Sequence, residues 1–340
     1  MVNGPVRLAV MNLRSLLVVA LSSRFGTGVS VPPDSLPGMP APVSTPPADA
    51  ASAGPPAPAE ARRRPALSPS RAMDFKQCPL KYRLRAIDRI PEPPSRHAVR
   101  GTVVHAVLED LYGLPAAERG PERADALVEP AWARVLAAQP EVAELIAADG
   151  LGPFLDEVRA LVESYYQLED PTRFEPESRE ARVEVELDDG VLLRGYVDRI
   201  DVAPTGELRV VDYKTGRAPG LAQETKALFQ LKFYALVVLR TRGVLPAQLR
   251  LIYLADRQIL TYAPDAEELG RFERTLSALW TAVREAGRTG EFPPTTSWLC
   301  DYCDYKPLCP EFGGTPPPYP GWPENDGESP DETLAEAVAD

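Results

Sequence analysis

The alternation of polar and apolar residues in the middle of the chain predicts an antiparallel sheet. Residues 182–188 alternate cleanly, as a half-buried strand does, and Asp189-Gly190 follows as a turn. Two apolar runs come next, at residues 192–202 and 208–213, and Pro204-Thr205-Gly206 lies between them. The pattern therefore predicts three consecutive antiparallel strands.

Helical spacing of apolar residues predicts helices on both sides of these strands in the sequence. Ser68 is placed as the N-cap of a first helix, and Asp265 as the cap of a late one. The region 113–150 is rich in Ala and Glu and is interpreted as a helical elaboration without chemistry. The predicted helices cover residues 71–77, 101–112, 122–139, 151–168, 223–242 and 265–287, and two further strands cover 249–254 and 259–262.

The two ends of the chain differ in composition from its middle. The 340 residues include 38 prolines, many of them near the termini, and residues 31–60 cannot form a core. An apolar stretch at 8–21 is interrupted by Arg14; we expect a disordered or untranslated segment rather than an export signal. The expected organisation is a disordered segment 1–64, a domain 65–312 and a disordered acidic tail 313–340. A cytoplasmic location without a membrane span is expected.

The net charge of −12 at first argues against a nucleic-acid partner, but the charge is unevenly distributed. Residues 71–100 carry an excess of five positive charges, whereas residues 321–340 carry only acids. Binding to nucleic acid requires a basic track and not a basic total. The alternative is that 71–100 is a solvated surface segment.

Two acids and a lysine in the predicted sheet are the first candidates for chemistry. Asp212 and Lys214 are two residues apart on one strand and therefore face the same side, and Asp198 lies in the preceding strand. Burying these charges in an apolar sheet is costly. A divalent metal held by both carboxylates, with the lysine beside an attacking water, would offset that cost. Asp-x-Lys is common by chance, so the strand context carries this hypothesis.

The four cysteines form the more specific signal. Cys300, Cys303 and Cys309 have the spacing C-x2-C-x5-C, and Cys78 lies near the start of the domain. Four thiolates suit zinc or a [4Fe–4S] cluster, and disulfides are not expected in a cytosolic chain. Unrelated buried thiols are the alternative. A site using all four would close a loop of more than 200 residues and join both ends of the domain.

Three further polar residues have a structural and a functional interpretation. His105 lies beside the apolar face of its predicted helix, where a histidine is usually structural. Gln230 and Tyr234 are four residues apart on a helix and share a face. In the structural interpretation, Tyr234 packs against the sheet and Gln230 lies at its rim.

Taken in order, these motifs resemble the RecB-like branch of the PD-(D/E)XK nuclease superfamily over about residues 66–312. One early and three late cysteines are similar to the iron–sulfur members, the AddB-type helicase–nucleases and the CRISPR-associated RecB-like exonucleases. The motifs that carry the resemblance are Gly101-Thr-Val-Val-His105, Gly195-Tyr-Val-Asp198, Val211-Asp-Tyr-Lys-Thr215 and Gln230-Leu-Lys-Phe-Tyr234.

The resemblance implies a fold and a role for each residue. The fold is α/β and restriction-endonuclease-like: a mixed central sheet flanked by helices, here with a helical insertion and a four-cysteine staple. It implies His105, Asp198 and Asp212 as metal ligands, with the carbonyl of Tyr213 as a further one, and Lys214 as the catalytic lysine. Gln230 and Tyr234 would support the site and contact DNA. The implied ligands of a [4Fe–4S] cluster, with zinc less favoured, are Cys78, Cys300, Cys303 and Cys309.

The expected activity is Mg²⁺- or Mn²⁺-dependent hydrolysis of single-stranded or end-bearing DNA by an exonuclease, in repair or recombination; endonuclease action is left open. The sequence contains no G-x-x-x-x-G-K-[ST] motif, so a helicase partner would be a separate chain. Two alternatives stay open. One is a DNA-binding or complex-assembly subunit with a structural metal cluster and a vestigial nuclease site, and the other is a zinc-stapled domain of unrelated activity.

Overall fold

The computed structural model describes residues 65–218, 220 and 224–322. The predictions for residues 1–64 and for 323–340 lie outside the described residues.

A five-stranded mixed sheet forms the centre of the fold. The strands are β1 (Pro176–Glu186), β2 (Leu192–Val202), β3 (Leu208–Lys214), β4 (Gln248–Tyr253) and β5 (Gln258–Tyr262), and they lie side by side in sequence order. β1, β2 and β3 are antiparallel neighbours, which confirms the predicted three-stranded unit. β3 and β4 are parallel, and β5 is antiparallel to β4.

The parallel pair β3–β4 requires a crossover, and a long helix provides it. This helix, α8 (Glu224–Arg242), packs against one face of the sheet together with α1 (Pro69–Gln77) and α9 (Ala266–Thr289). Phe233, Leu236 and Val237 of α8 lie in a core with Val210 and Leu251 of the sheet. None of the helices in the described ranges is long and apolar enough to cross a membrane.

A second helical layer covers the other face of the sheet. Its core joins apolar side chains of these helices to Val211, Tyr213 and Ile252 of β3 and β4. The layer consists of α3 (Arg96–Leu111), α4 (Pro121–Ala126), α5 (Val128–Ala138), α6 (Val142–Ala147) and α7 (Leu151–Tyr166).

Capping residues fix where several helices begin. Asp265 accepts a hydrogen bond from the Glu268 amide at 2.8 Å, as predicted. Ser95 caps α3 by accepting from the Ala98 amide at 3.2 Å, so this helix begins five residues before its predicted start. A short helix α2 (Pro79–Tyr82) and a π-helical turn (Arg83–Ile87) follow α1.

A fully buried arginine ties β2 to the helices of the second layer. Arg199 is 0% exposed and donates to Asp201 at 2.9 Å and to Glu169 at 2.8 Å. It also donates to the hydroxyls of Tyr112, at 2.8 Å, and Tyr213. We call these five residues the arginine cluster. Every charge in it has an opposite charge or a hydroxyl at hydrogen-bond distance.

The described part of the chain extends beyond the predicted domain boundary at 312. The Tyr319 hydroxyl donates to the Gly287 carbonyl at 2.7 Å, and Trp322 contacts Trp280 of α9. A Cβ at Gly287 would lie 2.0 Å from the Trp322 ring, so this glycine makes the contact possible. Residues up to 322 therefore belong to the packed domain.

Candidate functional site

Asp212 and Lys214 of β3 point to the same side of the sheet, as their spacing predicts. The Lys214 ammonium nitrogen lies 2.6 Å from Oδ2 of Asp212. Gln230 of α8 donates from Nε2 to the other carboxylate oxygen at 2.8 Å. All three side chains are buried. The crossover helix thus fixes the orientation of an acid–lysine pair inside the protein.

Asp198 lies in β2 next to the point at which the pairing of β2 with β3 ends. The last paired residues of that ladder are Arg199 and Val211. Beyond them, Oδ2 of Asp198 accepts the backbone N–H of Tyr213 at 2.7 Å, and Nδ1 of His105 lies 3.2 Å from the same oxygen. A helix of the second layer and the end of β2 therefore meet at one carboxylate.

Glu180 of β1 joins this group, although sequence reasoning missed it. It lies opposite Asp198, between the pairs Arg179–Arg199 and Ala181–Val197. One ligand atom each from His105, Glu180 and Asp198 lies within 4.8 Å of the other two. The structure therefore brings three potential metal ligands together from α3, β1 and β2.

The backbone at Glu180 is strained, and the pleat of the sheet reverses there. Residues two apart on a strand normally share a face. In β2, however, Arg199 contacts Tyr112 of the second layer, while Val197 packs into the α8 core. In β1, Arg179 likewise contacts Tyr112 of the second layer, whereas Val183 packs against the α8 core. Glu180 has a φ of +46°, a conformation that costs about 1–3 kcal/mol for a residue other than glycine.

The sequence contains a weak signal for this reversal. Alternation along β1 is regular only from Arg182 onward, so the predicted strand begins there, six residues after its observed start at Pro176. In the structure, half-buried positions fall on both Glu180 and Ala181, which breaks the two-residue period. The irregular segment before Arg182, in the strand that precedes the one with Asp198, is the sequence signal that could have pointed to Glu180.

The electrostatics of the site favour a cation. Burial raises the pKa of Asp212 above its ordinary value, Lys214 opposes that rise, and the charge of Asp198 adds to it. Oε1 of Gln230 is buried and accepts no hydrogen bond within the described ranges. Carboxylate oxygens and an imidazole suit Mn²⁺, and the carboxylates suit Mg²⁺. The residues present therefore fit a divalent metal ion.

Tyr234 lies behind the site and not on its surface. It is 1% exposed, and a Cβ at Gly195 would lie 2.9 Å from its Cε1 atom. This close approach explains why glycine stands three residues before Asp198. Gln230, in contrast to the rim position of the structural interpretation, contacts Asp212 directly.

The two ends of the domain meet at a pocket that all four cysteines line. Cys78 reaches it from the end of α1, and the others from the short 3-10 turns after α9. The Thr295 amide donates to Sγ of Cys78 at 3.4 Å, and the Ser297 amide donates to Sγ of Cys300 at 3.3 Å.

The sulfurs are not gathered as ligands of a single ion. Among the described residues, no three of them lie within 4.8 Å of one another. Burial raises the pKa of Cys303 above its ordinary value. The expected four-cysteine staple is therefore not shown, although its four members share one pocket.

The basic segment 71–100 is partly neutralised within the domain. Lys81 and Arg85 pair with Asp74 at 3.1 and 2.8 Å. Arg96 and Arg100 both pair with Glu157, at 2.8 and 2.9 Å. Arg83 pairs with Asp88 at 3.1 Å, so five of the eight bases in the segment have an acidic partner, which reduces the charge that they offer to a ligand.

Comparison of the sequence with known proteins places this chain in a nuclease superfamily. The sequence model of the PD-(D/E)XK nuclease superfamily matches residues 66–310. The chain is 28% identical over 274 residues to the Gene 69 protein of Mycobacterium phage D29, which covers 73% of this chain and 97% of the relative. The corresponding protein of Mycobacterium phage L5 is 26% identical over 289 residues, with the same two shares.

A solved structure from Eubacterium rectale that carries a provisional exonuclease name is also similar. It is 14% identical, has a TM-score of 0.49, and the match covers 71% of this chain and 87% of that one. At this TM-score the similarity establishes neither fold nor activity.

Proposed function

Because the chain belongs to the PD-(D/E)XK nuclease superfamily, we propose that it is a metal-dependent deoxyribonuclease that hydrolyses phosphodiester bonds as an exonuclease. Membership of the superfamily supports nuclease activity. The observation that carries the proposal further is the group formed by the buried Asp198, Asp212 and Lys214 with the half-buried His105.

Each residue of the site has a proposed task. His105, Asp198, Asp212 and the carbonyl of Tyr213 would hold Mg²⁺ or Mn²⁺. Such an ion neutralises charge on the scissile phosphate and makes water a better nucleophile near neutral pH.

Lys214, Gln230 and Tyr234 have proposed roles other than binding the metal ion. Lys214, held by Asp212, places a positive charge where charge develops on the phosphate during attack. Gln230 keeps Asp212 in one orientation through its hydrogen bond. Tyr234 supports β2 at Gly195, and its proposed contact with DNA would require it to become exposed.

We further propose that the cysteine pocket holds a [4Fe–4S] cluster with Cys78, Cys300, Cys303 and Cys309 as ligands. All four cysteines line this one pocket, which supports a shared group at this place. Backbone amides donating to Cys78 and Cys300 suit sulfur ligands that carry negative charge.

The remaining parts of the proposal concern the biological setting. Single-stranded or end-bearing DNA is the proposed substrate, with a helicase as a separate partner, in repair or recombination in the cytoplasm. Helices α4 to α6, within residues 113–150, are proposed to be an insertion that elaborates the nuclease core.

The test is a nuclease assay with purified full-length protein, prepared without oxygen, on 5′- and 3′-labelled single and double strands. DNA should be degraded only when Mg²⁺ or Mn²⁺ is added. Asp212→Ala and Lys214→Ala should each abolish degradation, whereas Glu207→Ala, at an exposed turn, should not. Undiminished activity in the first two variants would refute the site assignment.

DNA binding without cleavage under every metal tested would favour the vestigial subunit instead. The cluster is tested separately, because iron and sulfide can be measured in the same preparation. A colourless protein that contains zinc would contradict the iron–sulfur proposal.

A further inference from the structure

We infer that Glu180 is an additional protein ligand of the divalent metal ion at this site, an inference that rests on the proposed function. It was not among the residues that the sequence motifs supply. The site is then built from three adjacent strands and a helix, and not from the β2–β3 hairpin and α3 alone.

The position of Glu180 in the sheet brings its carboxylate to the site. It stands opposite Asp198 in the β1–β2 ladder, and its carboxylate lies with Asp198 and His105 inside a 4.8 Å group. Among the described residues this is the only group of three acids, histidines or cysteines so closely gathered. Asp212, which the motif nominates as a ligand, is not a member.

The number of carboxylates at the site also favours Glu180 as a ligand. Lys214 lies 2.6 Å from Asp212 and neutralises it, so the pair contributes no net charge. Asp198 and Glu180 are then the two carboxylates next to His105. Two carboxylates match the double charge of a divalent cation better than Asp198 alone.

The strained backbone conformation of Glu180 is a further reason to expect a functional carboxylate there. Glycine would adopt a φ of +46° without strain, but glycine has no carboxylate. A glutamate here accepts an unfavourable conformation and gains a side chain that reaches the site. Strain of this kind persists where the surrounding structure holds it, and here the reversed pleat of β1 and β2 does so.

The experiment measures Mn²⁺ affinity, so that it does not depend on DNA cleavage. Full-length protein is dialysed against EDTA and then titrated with Mn²⁺, with free Mn²⁺ followed by electron paramagnetic resonance. Glu180→Gln should weaken Mn²⁺ binding by at least roughly tenfold. Glu184→Gln is the matched control on the same strand; its carboxylate pairs with Arg194 at 2.5 Å, away from the site, and its affinity should equal that of the unmodified protein.

A second variant guards against misfolding. Glu180→Gly removes the carboxylate and suits the positive φ, so it should fold and lose the same affinity as Glu180→Gln. Unchanged Mn²⁺ affinity in either folded variant would overturn the inference.

The inference and the proposed function can fail separately. If the unmodified protein cuts DNA and Glu180→Gln binds Mn²⁺ normally, the ligand assignment is wrong and the function stands. If Glu180→Gln loses Mn²⁺ affinity but the unmodified protein cuts no DNA, the ligand stands and the nuclease proposal fails.

Discussion

Asp198 and Arg199 are neighbours in β2, yet each lies in a buried charged group of opposite character. The arginine cluster around Arg199 contains its own counter-charges, Glu169 and Asp201, and two tyrosine hydroxyls. The acidic group around Asp198 instead gathers the carboxylates of Asp198 and Glu180 with His105, and the nearby Asp212 pairs with Lys214. Arginines pair with both carboxylates of the first group, whereas in the second two carboxylates lie close to each other.

The pKa values follow this contrast. Burial alone would lower the pKa of Arg199, but Tyr213, Tyr112, Glu169 and Asp201 outweigh it and hold that pKa well above its ordinary value. The pKa of Asp212 is instead raised by burial and by Asp198, so its charged form is disfavoured. Buried charge that the fold stabilises is structural, whereas buried charge that the fold leaves unfavourable indicates a site for a ligand.

The largest expected effect comes from removing the acid–lysine pair as a unit. Asp212→Asn/Lys214→Met should lower DNA cleavage by at least about 100-fold, because the charge that stabilises the transition state is lost. The free energy of unfolding should equal or exceed that of the unmodified protein, since no buried charge in the pair remains unpaired. Urea unfolding and initial cleavage rates measure the two quantities. A large loss of stability would mean that this pair is structural.

The next effect concerns the arginine cluster. Arg199→Met should lower the free energy of unfolding by about 3–5 kcal/mol, because Glu169 and Asp201 would lose their fully buried partner. They would keep only the more exposed Arg250 and Arg209. Arg194→Met is the control, as its pair with Glu184 is near the surface and contributes less than about 1 kcal/mol. Urea unfolding of both variants measures the difference. Equal losses would remove the distinction between the two arginines.

Tyr213 contacts both groups, so removing its hydroxyl tests whether the arginine cluster affects the acidic group. Its hydroxyl bonds Arg199, while its backbone N–H bonds Asp198. Tyr213→Phe should therefore cost about 1.5–3 kcal/mol of stability, the contribution of a hydrogen bond to a charged group. Cleavage measured well below the unfolding temperature should be unchanged. A matching fall in activity would show that the arginine cluster positions the acids.

The smallest expected effect comes from a substitution at Gly195, which changes the packing behind the acidic residues but no charge. Gly195→Ala places a Cβ 2.9 Å from the Tyr234 ring and should cost about 1–3 kcal/mol through overpacking. Gly206→Ala would be a poor control because its φ is +94°, so Gly120→Ala, which meets nothing within 4 Å, is the better one. Thermal unfolding compares them. Equal stability of the two variants would contradict the close contact of Gly195 with Tyr234.

Local patterns predicted most of the fold. Strands β2 and β3 and helix α8 follow from apolar runs that are buried on more than one side. Helix α9 follows from its single apolar face and from its N-cap, Asp265. The pairing of Asp212 with Lys214 follows from strand alternation in the same way. These features depend on residues close together in the sequence.

What could not be predicted depends on contacts between distant segments. Glu180 is 18 positions before Asp198, and only the reversed pleat brings them together. Arg199 reads as one more charge in a strand until Glu169 and Tyr112 are placed beside it. The packing of Tyr319 and Trp322 on α9 was likewise hidden in a proline-rich stretch that composition describes as a tail.

The bond from the Tyr213 amide to the Asp198 carboxylate makes one backbone hydrogen a reporter of the site. Within a regular sheet, that amide would exchange with solvent only when the strands separate. Here it is protected by a side chain, at 2.7 Å, so its exchange rate follows the position of Asp198. Hydrogen exchange at this single peptide group therefore reads the state of the carboxylate directly, without substrate and without a substitution in the protein.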